Sequence, residues 1–209
     1  MPRIPFPLLL LLGASLAAQG SDPRVSLGLN LSFPTGGFYK STYGPTSEVL
    51  SPQTETYDMG AGAQIGLTYP LDRHVAFRGV LAGQFHGGKN TAPGYENINL
   101  EHSMVSLGAE IHIYPESALR LRGPYFFGGV SADFERFDRS FGDVDWDYTD
   151  TTHKSRLGGT LGLGHSFPMG GSSRWYLEAA YHTSLTGKDA AAGDPPATSF
   201  LRFAVGWVF

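Results

Sequence analysis

Eight stretches of this chain alternate, residue by residue, between a large apolar set and a set of small or polar residues. A strand turns successive side chains to opposite faces, so a period of two describes a strand with two unlike faces. The first stretch sets Val25, Leu27, Leu29, Leu31 and Phe33 against Ser26, Gly28, Asn30 and Ser32. Seven more follow over 59–69, 75–86, 105–114, 126–135, 156–167, 175–182 and 201–209. Taken together, the second set is rich in Gly, Ser and Ala, with one or two charges in each stretch from the third onward, and many of the 28 glycines sit there. A face in contact with water would carry many Lys, Glu and Thr instead. Glycine weakens a solvated strand but suits a crowded interior. The pattern therefore places the apolar face outward and the small face inward.

The connections alternate in length. Three are short, Pro70–Arg73, Pro115–Gly123 and Pro168–Arg174, and four are long and polar, over 34–57, 87–99, 138–153 and 185–198. All four lysines (Lys40, Lys89, Lys154, Lys188) lie in or beside the long links. Short turns at one end and long loops at the other mark a barrel that crosses a membrane. Aromatic residues gather near stretch ends, at Phe33, Tyr69, Phe85, Tyr114, Phe126, Phe134, Phe167, Trp175, Tyr181 and Trp207. That placement fits the interfacial girdles of such barrels. The fold expected is all-β, an eight-stranded antiparallel up-and-down transmembrane β-barrel. A mean hydropathy of −0.14 does not oppose it, because barrel strands escape a hydropathy window.

The first residues read as an export signal. Arg3 precedes an apolar run from Ile4 to Leu12, and small residues follow at Gly13, Ala14, Ser15, Ala17 and Ala18. The run is short of the ~20 residues of a spanning helix. The division expected is a cleaved signal over 1–20 and a barrel domain over 21–209. The chain has no Cys, which removes disulfides, thiolate metal sites, thiol nucleophiles and a lipoprotein anchor. A net charge of −4 and no Lys/Arg run give no footprint for nucleic acid.

The last stretch ends the chain on Phe203, Val205, Trp207 and Phe209, apolar at every second position with an aromatic terminus. It resembles the terminal strand by which outer-membrane barrels are recognised for assembly. With the eight-stretch pattern, the mature chain resembles the small OmpA/OmpX class of outer-membrane barrels. That resemblance implies export, periplasmic chaperones, the barrel assembly machinery, and a membrane bearing lipopolysaccharide. It also implies termini in the periplasm and long loops outside the cell.

Candidate chemistry is sparse. His182 and Ser184 share a strand face, so the His could activate the Ser. The pair is similar to the His-x-Ser element of outer-membrane lipid A deacylases. Leu185 stands where that family has Asn, and Thr198, Ser199 and Phe200 offer no Glu to orient the His. Asp189 and Asp194 are loop candidates only. His182 also falls in the inward phase. Asp143, Asp145, Asp147 and Asp150 surround Trp146 and Tyr148 in a long link, without the turn Gly and terminal Glu of an EF-hand. The seven His show no metal-pair spacing, so no metal site and no cofactor is expected.

The inward phase carries charges of both signs. Their levels on neighbouring strands suggest a ladder: Arg78 with Glu110, Asp133 with Arg156, Glu178 with Arg202. An unpaired charge in a narrow interior is costly. Eight strands leave an interior just wide enough for side chains to fill. The function expected is a non-enzymatic, monomeric barrel with a filled lumen and a structural or surface-interaction role. The alternatives are a small OmpW-like channel and a lipid A-modifying enzyme using His182 and Ser184.

Overall fold

A computed structural model describes residues 23–43, 53–90, 98–119, 121–143, 146–170, 173–187 and 195–209. The expected signal segment lies outside the described residues. The chain forms β1 (Arg24–Pro34), a one-turn helix α1 (Gly36–Tyr39), β2 (Lys40–Tyr43), β3 (Gln53–Tyr57), β4 (Gly60–Pro70) and β5 (Val75–Asn90). It continues as β6 (Ile98–Ile113), β7 (Gly123–Asp143), β8 (Trp146–Gly170), β9 (Ser173–Ser184) and β10 (Ser199–Val208).

Eight of these strands close on themselves in the order β4-β1-β10-β9-β8-β7-β6-β5, every neighbour antiparallel. Closure leaves no sheet edge at the level of the ring, which a strand must avoid in hydrocarbon. The stagger follows from the register. Starting at Pro34, Cα partners run through Phe200, His182, Thr160, Gly129, Glu110, Arg78 and Thr68 and return to β1 at Arg24. The circuit comes back ten residues lower on the same strand, from 34 to 24. With eight strands, a ~3.3 Å rise and ~4.8 Å spacing, that stagger means a tilt of about 40° and a backbone radius of about 8 Å.

Burial is inverted relative to a water-soluble protein. Outward Leu29 is 60% exposed and Leu161 71%, whereas inward Arg78 and Glu110 are each 3% exposed. From Val75 to Phe85 on β5, and from Phe126 to Phe134 on β7, the outward set holds no charged residue. Ten residues tilted at about 40° span roughly 25 Å, the height of a bilayer's apolar layer. At the end where the connections are short (the turn end), Phe167 stacks on Trp175 with centroids 4.1 Å apart. Tyr114, grouped above with the girdle aromatics, is instead 4% exposed inside the barrel and packs on Tyr125 at 4.9 Å. It sits where β6 has ended and the chain folds under the lumen.

Two departures from the alternation concern the opposite end, the loop end. The expected link 34–57 contains α1 and the β2–β3 hairpin. Between Tyr57↔Gly88 and Ala61↔Phe85 the chain advances four residues while β5 steps back three, so Asp58–Met59 forms a bulge. The extra residue switches the phase and turns Glu55 and Tyr57 inward, which hides β3 from a period-two reading. The described residues of the links 87–99 and 138–153 are strand, because β5 to β8 run on past the apolar band. Beyond the band neither face must be apolar, so the hydrogen-bonded ladder continues without its sequence signature.

Candidate functional site

The lumen is built by the alternate residues that each strand aims inward, and its lower tier is one charged network. Arg78 donates from Nε to Glu110 Oε2 at 2.8 Å and from Nη1 to Glu178 Oε1 at 2.7 Å. Tyr125 donates to Glu178 at 2.8 Å, Gln64 donates to Glu178 at 3.3 Å and to the Tyr176 hydroxyl at 3.1 Å, and His112 Nε2 lies 3.0 Å from Glu110. The Arg78 guanidinium also lies 5.5 Å from the centre of the Phe127 ring. Arg202 approaches Glu110 no nearer than 3.9 Å, and its Nε and Nη2 have no hydrogen-bond partner among the described residues. Gly28 and Gly206 leave the room that the Tyr176 ring occupies; a Cβ on Gly206 would meet that ring.

The middle tier centres on Asp133. His182 Nε2 lies 3.0 Å from Asp133 Oδ2 and must donate to it, since a carboxylate only accepts. Nδ1 of the same ring is 3.0 Å from the Thr160 hydroxyl. Gly158 makes the contact possible, because a Cβ there would collide with the Asp133 carboxylate and sit 2.7 Å from the His182 ring. Ser131 donates to Asp133 at 2.8 Å.

The upper tier pairs Arg156 with Glu135 at 2.6 Å, while the Pro195 and Pro196 carbonyls each accept from Arg156 at 2.8 Å. Thr198 donates to the same Glu135. His86 and His102, opposite each other on β5 and β6, face Nδ1 to Nδ1 at 3.2 Å. Phe38 of α1 lies over both rings at 5.1 and 4.9 Å and stacks on Tyr57 at 4.8 Å. Arg139 donates to Glu55 at 2.6 Å above them.

Aromatic rings thus close the lumen at the loop end. At the turn end, Ala118 and Leu121 from the β6–β7 connection pack among Tyr114, Tyr125 and Tyr176. Between the two closures lie cavities of about 20 Å³ beside Arg202 and His182 and about 10 Å³ beside Arg78 and Tyr176. A single water needs ~10–15 Å³, so each holds about one.

The six charges of the expected ladder all point inward, but their partners differ in part. The structure brings Arg78 to Glu110 and adds Glu178. Asp133 is the Cα partner of Arg156, yet the long Arg side chain reaches the diagonal Glu135 and leaves Asp133 to His182. Glu178 turns to Arg78 and not to Arg202, because it stands opposite Ala204 while Arg202 stands opposite Ala180. His182 does have a carboxylate partner, contrary to the reading that found none. Asp133 was invisible as that partner because it comes from β7, two strands away. His182 does not meet Ser184, whose buried hydroxyl has no hydrogen-bond partner among the described residues. Asp145 lies outside the described residues, as do the side chains of Asp143 and Asp147, while Asp150 lies 3.8 Å from Arg139. Phe203, Val205, Trp207 and Phe209 all face outward, and the Phe209 amide donates to Val25 O at 2.8 Å.

The profile of the outer membrane protein beta-barrel domain matches residues 4–209. No curated protein matches the sequence. Among solved structures, the outer membrane protein OprG from Pseudomonas aeruginosa superposes with a TM-score of 0.51 at 13% identity, over 90% of this chain and 95% of that one. Ail, the attachment invasion locus protein of Yersinia pestis, solved with the heparin analogue sucrose octasulfate, superposes with a TM-score of 0.50 at 12% identity, over 90% and 97%. At such identities the likeness is one of fold. With the profile match over nearly its whole length, a closed eight-stranded ring and an apolar outer band, the chain belongs to the outer membrane protein beta-barrel domain family and is an outer-membrane protein.

Proposed function

We propose that this protein is a non-enzymatic, monomeric outer-membrane barrel that acts through the surface of its loop end. The observation that carries the reading is the lumen: ion pairs and aromatic rings occupy it, and its cavities hold about one water each. A solute path would require the Arg78 network and the Phe38 closure to come apart together, which weighs against the OmpW-like channel. The wall that rises beyond the apolar band at the loop end, on β5 to β8, leaves surface for a partner. With residues 1–20 removed as a signal, the barrel would start in the periplasm, travel with periplasmic chaperones and be inserted by the assembly machinery through Phe203, Val205, Trp207 and Phe209. Both termini would then be periplasmic, and the loop end would stand among lipopolysaccharide.

The deacylase reading is weaker for a geometric reason. His182 is 4% exposed inside the lumen, whereas membrane lipid reaches only the outer wall. Mass spectrometry of lipid A from cells expressing wild type, His182→Ala and Ser184→Ala tests the point. The expected result is the same acyl pattern in all three and in cells without the protein. An acyl chain lost only with wild type would overturn the non-enzymatic reading.

A further inference from the structure

We propose that the outer wall of β6–β8 holds the phosphate of an outer-leaflet lipid headgroup at Arg136 and His153. The inference rests on the reading that the loop end faces outside the cell. On β5 to β8 the outward set is free of Asp, Glu, Lys and Arg from the turn end to Phe85, Val105, Phe134 and Leu157. Arg136 is the next outward residue above Phe134, about 5 Å further along the barrel axis. It therefore stands where acyl chains give way to headgroups.

The guanidinium is held for binding. Arg136 Nε donates to Asp138 at 3.0 Å, and Thr151 fixes that carboxylate by donating to it at 2.6 Å. The side chain is still 53% exposed, and its two Nη groups meet no acceptor among the described residues. An oriented Arg with a free Nη edge presents the paired donors that match a phosphate. His153 is the Cα partner of Arg136 on β8 and Ser103 its partner on β6, both on the same face. Opposite residues on a face stand ~4.5–5.5 Å apart at Cβ, so all three can reach one anion.

The row below supplies the apolar half of the site, with Val105 51% and Phe134 55% exposed. The row above sets its limit. Glu101 stands opposite Asp138, so an anion seated higher would meet two carboxylates. An amphiphile with a phosphate directly above its acyl chains fits this arrangement.

The test uses the full barrel in phosphatidylcholine nanodiscs containing bis-phosphorylated lipid A, or the same lipid A with its phosphates removed. Native mass spectrometry counts retained lipid A, and the amide signals of Ser103, Arg136 and His153 report where it sits. Wild type should retain the phosphorylated form about tenfold better than the dephosphorylated form. Arg136→Gln should lose that preference, with Asp138→Asn and Arg136→Lys in between. Equal retention of both forms by wild type, full preference in Arg136→Gln, or equal shifts from inorganic phosphate alone would overturn the proposal. Orientation is read separately. The chain has no native Cys, so a membrane-impermeant maleimide on intact cells should label Thr149→Cys. Labelling only after lysis would remove the outer leaflet from the proposal even if the nanodisc result stands.

Discussion

Arg78 is the residue on which the lumen's electrostatics turn, since it separates two carboxylates that would otherwise face each other. Taking one partner from a buried ion pair costs about 3–5 kcal/mol, because the other charge is left without compensation. Arg78→Leu should therefore destabilise the barrel by at least that much in denaturant unfolding from lipid. Adding Glu110→Gln and Glu178→Gln should recover part of the loss, and strict additivity would contradict the network. Much of this was legible in the sequence. The inward phase of Arg78, Glu110, Asp133, Arg156, Glu178 and Arg202 follows from counting by two. Beyond Arg78 with Glu110, their partners were not legible, because a long side chain in a narrow ring chooses among diagonal and cross-lumen partners that register alone does not rank. Phe38 was hidden for a different reason: a single helical turn in a polar link has no periodicity.

At the scale of elements, the tight β4–β5 turn has its own chemistry. Asp72 accepts from the backbone N–H of His74 at 2.6 Å and of Val75 at 2.8 Å, and these bonds hold its carboxyl below the ordinary value of 3.8. The charged form is favoured in the fold, so its contribution is present above pH 3.8 and is lost as pH falls through the depressed pKa. Protection of the His74 and Val75 amides, measured against their intrinsic exchange rates at each pH, should fall in that acid range. Asp72→Asn, which keeps an acceptor without titrating, should flatten the response; a wild-type profile in this variant would refute the account. The last strand carries a second expectation. Phe209 is an outward aromatic 56% exposed on the final turn of the ladder. Its deletion should leave export intact and reduce the heat-modifiable barrel in the outer membrane, whereas unchanged insertion would remove its assembly role. Strand existence and facing were readable for the eight ring strands because the bilayer imposes two unlike faces. Strand ends were not, because β5 to β8 continue where that constraint stops and β3 enters through a bulge at Asp58–Met59.

For the whole molecule, the decisive quantity is whether anything passes through it. A stagger of ten residues on eight strands sets a radius of about 8 Å, and inward side chains consume it. The tiers are redundant. Arg78 with its two carboxylates, Arg156 with Glu135, and Phe38 over His86 and His102 each obstruct the axis at a different height. The proposed structural or surface role rests on that obstruction more than on any single residue. The measurement that tests it most directly is ionic conductance of the purified, folded barrel in a planar lipid bilayer. Wild type should show no steady conductance, and neither should Arg78→Ala, Arg156→Ala or Phe38→Ala taken singly, because the remaining tiers still obstruct the axis. A stable open channel in the wild-type protein would contradict this account.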